Sequence, residues 1–149
     1  PIAEIFHCAL LLQRATDAHL AGNIEDAHDF LRRADCPKVR NFTDHGWGAG
    51  AKERYKFIAV DNAPPYLPKV ARHGSRMPSV AVKRAILERD GYHCRFCGTP
   101  VISSEVRNWF KRTYPQAVPW GPTNPSQHAA FQCMWLQFDH ILPHSRGGS

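Results

Sequence analysis

Residues 1–37 read PIAEIFHCALLLQRATDAHLAGNIEDAHDFLRRADCP, and the spacing of their apolar residues decides how the chain begins to fold. Apolar side chains recur every three or four positions in two successive stretches, which predicts a helical hairpin over residues 1–35. Gly22 is placed to end the first helix and Asn23 to cap the second, and Cys36-Pro37 marks the stop. A single copy of this unit predicts a packing element rather than a repeat array. Residues 1–35 are also a candidate contact for a protein partner.

The next forty residues contain turn-forming and proline-rich sequence. The stretch NFTDHGWGAG (41–50) predicts a loop, and RYKFIAV (54–60) is compatible with a short strand. Prolines and basic residues over 63–78 predict an extended linker. We therefore expect a helical region of unknown role over residues 1–62, a proline-rich linker over 63–78 and a second domain over 79–149.

The composition is that of a folded protein, with 149 residues of which 43% are hydrophobic and 21% charged. No stretch approaches the roughly 20 apolar residues of a membrane helix. The start at Pro1 predicts a processed or shortened chain, and its apolar run lacks the features of a signal peptide. The odd, scattered set of cysteines favours reduced thiols in a cytoplasmic protein over a disulfide framework. These cysteines are Cys8, Cys36, Cys94, Cys97 and Cys133.

Positive charge is concentrated in the second half of the chain. Residues 1–75 carry ten Lys/Arg and nine Asp/Glu, whereas residues 76–149 carry nine and four. A basic half attracts polyanions such as nucleic acids, although a solvated basic surface explains the same excess.

Two cysteines separated by two residues suggest a metal site. A helix is predicted from Ser79 to about Arg89, and the turn Asp90-Gly91 leads into YHCRFCG (92–98). Cys94 and Cys97, followed by Gly98, have the spacing of a zinc knuckle, because two thiolates on a tight turn can point at one tetrahedral ion. A redox pair or two buried thiols are the alternatives. His93, His128 and Cys133 are candidate further ligands, but we expect the missing ligands after Ser149.

Two more helices and a strand are predicted after this pair. VISSEVRNWFKRTY (101–114) predicts a helix with an apolar face and a basic face, which either lies along phosphates or faces solvent. The apolar face contains Val106, Trp109 and Phe110, and the basic face contains Arg107, Lys111 and Arg112. SQHAAFQC (126–133) is compatible with a short helix. In MWLQFDHI (134–141) the alternation of apolar residues predicts a strand that Pro143 ends.

Asp139 and His140 thus fall where the predicted strand enters a loop, a common position for catalytic groups. Neighbouring strand residues point to opposite faces, so a division of labour is favoured over shared ligation. A carboxylate is a hard ligand suited to Mg²⁺, and a neutral imidazole is a base that works near neutral pH.

The two motifs together resemble the HNH nuclease family. ERDGYHCRFCG (88–98) followed by FDHILPHSRGG (138–148) reproduces its cysteine pair and its Asp-His-apolar-apolar-Pro-x-Ser-x-Gly-Gly run, over about residues 79–149. The resemblance implies an α+β fold, with the N-terminal helical region joined by the proline-rich linker to an incomplete ββα-metal domain. It assigns Asp139 to a catalytic Mg²⁺, Mn²⁺ or other divalent ion, His140 to the general base, and Cys94 and Cys97 to a structural Zn²⁺.

The resemblance also implies that the second half of the motif lies outside this sequence, so that the fragment alone is expected to be inactive. The gap of 42 positions between Cys97 and Asp139 is longer than in compact members of the family. In the complete enzyme His140 would activate the water that attacks a DNA phosphodiester, and His144 and Arg146 are candidate phosphate contacts or solvent-facing loop residues. The alternatives are a zinc-knuckle module that binds nucleic acid without cutting it, and a helical interaction protein.

Overall fold

The structure is a computed structural model that describes residues 1–48, 61–74 and 77–148. Contacts divide the chain into two units. The described part of the first unit is residues 1–48 and 92–136, and that of the second is residues 61–74, 77–91 and 137–148. The strand predicted over residues 54–60 lies outside the described residues. None of the described helices combines the length and the apolar character that crossing a membrane requires.

The predicted helical hairpin is confirmed. Helix α1 spans Ala3–Leu20 and α2 spans Ile24–Ala34. Gly22 has a φ of +79°, a left-handed conformation that glycine adopts without steric penalty. Asn23 occupies the N-cap position of α2, although its side chain accepts no hydrogen bond there. The apolar stripe of α1 is buried, and α2 is its main packing partner.

A third helix follows where a loop was predicted. Helix α3 spans Pro37–Trp47, so the loop prediction over residues 41–50 is wrong as far as Trp47. Pro37 stands in the first turn of α3, where its fixed φ suits the helix and its missing N–H would have no intrahelical partner. Val39 is fully buried, so tertiary contacts stabilise a helix that local sequence does not reveal.

The second half of the chain contributes three helices, all of them predicted. They are α4 (Val80–Asp90), α5 (Ser104–Thr113) and α6 (Ala129–Cys133). Ser79 and Ser103 cap α4 and α5, each by accepting a hydrogen bond from a backbone N–H three residues later. Helix α6 packs on α1 and α3 and places Phe131 in the core of the first unit, where Met134, the residue after the helix, is also buried. Helix α4, in the second unit, buries none of its residues.

The predicted α+β fold class, with an incomplete ββα-metal domain, is wrong, because the described residues contain helices and turns but no strand. The stretch 134–141 makes one isolated bridge, between Ile102 and Trp135. Ile102 donates its N–H to the Met134 carbonyl at 2.7 Å and accepts from the Leu136 N–H at 2.9 Å. Residues 137–140 form no ladder with other described residues. Apolar alternation predicts which face a strand would bury, but a strand also needs a neighbour for its backbone groups.

The prediction that Arg107 lies on a basic face of α5 that contacts phosphates or solvent is wrong. This side chain is buried, and its guanidinium lies over the indole rings of Trp120 and Trp135. Lys111 and Arg112 remain exposed. Burial lowers the pKa of Arg107, with the nearby Glu105 acting in the opposite direction.

An ion pair at the corner between α2 and α3 holds the loop before α6. One oxygen of Asp35, Oδ1, accepts from Arg40 Nη2 at 2.6 Å and from the Ala129 N–H at 2.7 Å. Arg40 Nη1 also points at three carbonyl oxygens of the loop, those of Asn124, Pro125 and Gln127, at 3.3, 3.0 and 2.8 Å. The two side chains are only 21% and 26% exposed, so water weakens these charge-assisted bonds little.

A buried histidine makes a second connection between the same parts of the chain. His128 is fully buried, and its Nε2 donates to the Leu31 carbonyl at 2.9 Å. Its Nδ1 accepts from the Phe131 N–H at 3.4 Å, which caps α6. Burial lowers the pKa of His128, against the opposing effects of the Leu31 carbonyl and Asp35.

Replacing Arg40 with alanine should lower the free energy of unfolding by about 2–3 kcal/mol, because Asp35 and the loop carbonyls lose a charged donor. Urea denaturation followed by circular dichroism measures the change. The control is Arg33→Ala, whose pair with Asp29 is more than half exposed on both sides and should contribute less than about 0.5 kcal/mol. Equal losses in the two variants would contradict the role of Arg40.

Stability should also depend on pH through His128. The pKa of His128 is about 6.5 in the unfolded chain and lower in the folded chain. Between these two values the unfolded chain binds one proton more than the folded chain. As the pH falls through this range, the free energy of unfolding therefore falls by at most about 1.4 kcal/mol per pH unit. The fall stops once the pH is below the folded pKa. The stability advantage of the wild type over His128→Gln should therefore shrink between about pH 7.5 and pH 5.5. Urea midpoints that shift in parallel in both proteins would refute this.

Candidate functional site

The Asp-His pair lies at the start of an exposed loop in the second unit. Asp139 is exposed and His140 is half-buried. Asp139 Oδ1 accepts a hydrogen bond from the His140 backbone N–H at 2.8 Å, which orients the carboxylate. A carboxylate has a second oxygen and further lone pairs, so it can still bind a cation. The ring centroids of His140 and His144 are 5.7 Å apart, which places two imidazoles on this one loop.

Two glycines shape the far end of this loop. After a single 3-10 turn, His144–Arg146, Gly147 adopts a φ of +94°. A Cβ on the next residue, Gly148, would overlap the Leu142 carbonyl oxygen. Both positions therefore require glycine for a physical reason, a conformation at Gly147 and a close approach at Gly148.

His144 and Arg146 bind the segment that was predicted to be a linker. His144 Nε2 donates to the His73 carbonyl at 2.8 Å. Arg146 donates to the Pro64 carbonyl, and its guanidinium lies 4.0 Å from the centroid of the Tyr66 ring. The predicted phosphate contacts of both residues would therefore compete with these intramolecular contacts.

The segment 64–73 is the part of this site that sequence reasoning missed. Besides the contacts above, the Leu67 N–H donates to the Ser145 carbonyl at 2.8 Å, and Arg72 Nε donates to the Leu67 carbonyl at 3.0 Å. Its prolines predict an extended chain, and the described part of it contains no helix longer than the 3-10 turn Lys69–Ala71. No pattern in the sequence, however, identifies the loop against which an extended chain lies.

The cysteine pair lies in a tight turn of the first unit. The Cys94 N–H donates to the Thr99 carbonyl and the Gly98 N–H donates to the Cys94 carbonyl, both at 2.8 Å. Gly98 has a φ of +69°, so the predicted need for glycine in this turn is confirmed. Cys97 is exposed and Cys94 is half-buried.

Thr99 makes Cys97 the most acidic thiol among those whose pKa is shifted. Burial raises the pKa of Cys97, but hydrogen bonds with the Thr99 hydroxyl, 3.2 Å from the sulfur, with the Thr99 N–H and with Cys94 lower it below its ordinary value. Burial instead raises the pKa of Cys8 to about 12 and also raises that of Cys133. The turn thus favours a thiolate, the reactive and metal-binding form, at an accessible sulfur.

The metal ligands present in the described residues form only partial sets. No group of three or more histidine, cysteine, aspartate or glutamate side chains among residues 1–48, 61–74 and 77–148 could hold a metal ion. His128 is excluded as a zinc ligand because its ring is buried in the core and bonded to Leu31. The cysteine pair belongs to the first unit, whereas Asp139 and His140 belong to the second.

Comparison with known proteins identifies no relative. No protein-family model, curated protein or solved structure matches the chain. The function is therefore inferred from the motifs and from the geometry described above.

Cys97 should be the thiol that iodoacetamide modifies fastest at about pH 7.5, because it is accessible and its thiolate is stabilised. Replacing Thr99 with valine should slow this reaction about 3-fold by returning the pKa toward its ordinary value. Peptide mass spectrometry measures each cysteine separately. The matched control is Thr16→Val, which removes a hydroxyl bonded to a backbone carbonyl of α1. Modification of Cys97 no faster than that of Cys133 would contradict the prediction.

Proposed function

We propose that this chain carries the first half of the active site of an HNH-type nuclease, a metal-dependent enzyme that hydrolyses phosphodiester bonds in DNA. The loop from Asp139 to Gly148 is the observation that supports this most. The acid and the histidine of the motif are accessible at its start, and the two glycines of the motif occupy positions where a side chain would be strained or would overlap the backbone. An Asp-His dipeptide that occurs by chance has no reason to be followed, eight and nine residues after its aspartate, by two positions that require glycine.

In this proposal His140 is the general base. Its imidazole takes a proton from a water molecule, whose oxygen forms the new bond to phosphorus while the 3′ oxygen leaves with the bonding electron pair. Asp139 fits a hard divalent cation such as Mg²⁺ or Mn²⁺, which when bound would stabilise negative charge on the phosphate. The described residues add no further ligands to Asp139, so the proposal requires them from elsewhere.

The cysteine turn supports the structural Zn²⁺ of the same proposal. The lowered pKa of Cys97 favours the deprotonated sulfur that zinc binds. Two thiolates are half of a tetrahedral set, so two more ligands are required. All five cysteines are unpaired in the structure, which is compatible with the proposed cytoplasmic location.

DNA is the proposed partner. A protein partner would bind the apolar side chains that the N-terminal helices leave exposed. Lys111 and Arg112 on α5 remain accessible to phosphates, in agreement with the basic second half of the chain. On α1 and α2, Phe6, Leu10, Leu20 and Ile24 are the large apolar side chains that the hairpin does not bury.

The test is a plasmid-nicking assay with Mg²⁺ or Mn²⁺ on the natural protein that contains this sequence. Replacing His140 with alanine or Asp139 with asparagine should each slow nicking at least about 100-fold, because a general base or a metal ligand is lost. His7→Ala and Asp26→Asn, at exposed positions of α1 and α2, are matched controls and should nick at the wild-type rate. A His140→Ala protein as active as the controls would refute the role of the base. Failure of the wild type to nick DNA with either metal would refute the nuclease proposal.

A further inference from the structure

Arg107, Trp120 and Trp135 form a compact group in the first unit. The guanidinium carbon of Arg107 lies 4.3 Å from the ring centroid of Trp120 and 4.6 Å from that of Trp135. The two indole centroids are 6.3 Å apart, with an angle of 79° between the rings. Arg107 is only 8% exposed, whereas Trp135 is 42% exposed. The arginine is thus covered, in part by indoles, while a large part of Trp135 faces solvent.

The charge of Arg107 lacks a direct partner among the described residues. Its Nε and Nη1 atoms are buried and have no hydrogen-bond acceptor there, and Nη2 makes a long hydrogen bond, at 3.4 Å, to Asn108 Oδ1. No ion pair joins it to a described carboxylate, and Glu105 acts on it only through its electrostatic field. Cation–π contacts offset part of the cost of burying this cation but do not neutralise it. A positive potential therefore remains beside the exposed indole.

The backbone that carries Trp135 is held on both sides. Its own N–H donates to the Gln132 carbonyl at 3.4 Å, and the N–H of Leu136 donates to the Ile102 carbonyl at 2.9 Å. The preceding carbonyl, of Met134, accepts from the Ile102 N–H. With its backbone fixed and the guanidinium against its ring, the indole loses little conformational entropy when a ligand binds.

We propose that Trp135 is a stacking platform for an unpaired nucleobase, so that the protein binds single-stranded DNA, or a DNA with a single-stranded segment, at this surface. Aromatic side chains that present an accessible ring beside positive charge are the common elements of single-strand binding sites. In a duplex each base is already stacked between its neighbours, so only an unpaired base offers a free face to the indole. The charge of Arg107 favours the phosphates that accompany such a base.

This inference rests on the proposed function for its choice of DNA, and it narrows the substrate. A nuclease with such a platform would cut DNA that contains unpaired nucleotides faster than uninterrupted duplex. Trp135 precedes Asp139 by four positions in the sequence.

Fluorescence anisotropy with a labelled oligothymidine of about 12 nucleotides, in about 50 mM salt, tests the platform. Replacing Trp135 with alanine or leucine should weaken binding about 5- to 150-fold, which is the range for loss of one stacked base. Trp135→Phe keeps an aromatic ring and should weaken binding less than about 3-fold. The leucine variant keeps an apolar side chain over Arg107 but has no aromatic ring. Weaker binding by a folded leucine variant therefore reports the loss of stacking and not the loss of the fold. Thermal unfolding of each variant checks that the fold is intact.

Val82→Ala is the control, because Val82 on α4 is exposed to a similar 49% and belongs to neither proposed site, and it should bind like the wild type. Wild-type affinity in the alanine and leucine variants, absence of oligothymidine binding by the wild type, or equal affinity for a matched duplex would overturn the platform. The nicking assay tests the nuclease proposal separately from the binding assay. Loss of oligothymidine binding in Trp135→Ala together with failure of the wild type to nick plasmid with either metal would refute the nuclease proposal and leave the platform standing.

Discussion

The carboxylate of Asp35 joins two parts of the first unit, because one of its oxygens accepts hydrogen bonds from Arg40 and from the N–H of Ala129, 94 residues later. His128 repeats the connection through the Leu31 carbonyl. Together they fix the start of α6 on the end of α2, and α6 then carries Phe131 into the core. Because these polar groups are mostly or fully buried, any other arrangement of the loop would leave some of them without a partner.

The loop of the second unit is likewise held by hydrogen bonds to a segment that is distant in sequence, and here backbone groups take the place of the carboxylate. Arg146, His144 and the Ser145 carbonyl all bind residues 64–73, while Asp139 and His140 stay accessible at the other end of the loop. A loop with one end bound in this way can present reactive groups to solvent without losing its shape. The segment predicted to be a passive linker is therefore part of the support of the candidate site.

The positive charge of this protein is a poor guide to its surface. Arg40, Arg107 and Arg146 all contribute to the net charge of +6, yet their guanidinium groups are engaged with a carboxylate, with indoles, or with a tyrosine ring and a carbonyl. Arginine suits these roles because its planar, weakly hydrated group stacks on rings and donates several hydrogen bonds. Arg107 and Lys111 are four residues apart and so lie on the same side of α5, yet Lys111 is exposed while Arg107 is buried against the ring of Trp120.

Local patterns were sufficient for the helical hairpin, for helices α4 to α6, for the serine caps, and for the turn at Gly98, since each depends on residues within a few positions of one another. The motif of Asp139 and His140 and the glycines that shape its loop could likewise be recognised from the order of residues. Helix α3, the absence of a strand over the described part of residues 134–141, the burial of Arg107 and the contacts of residues 64–73 could not be recognised in this way. Each of these depends on which distant segment supplies a partner for a backbone group, a ring or a charge. Such partners are brought together only when the chain packs.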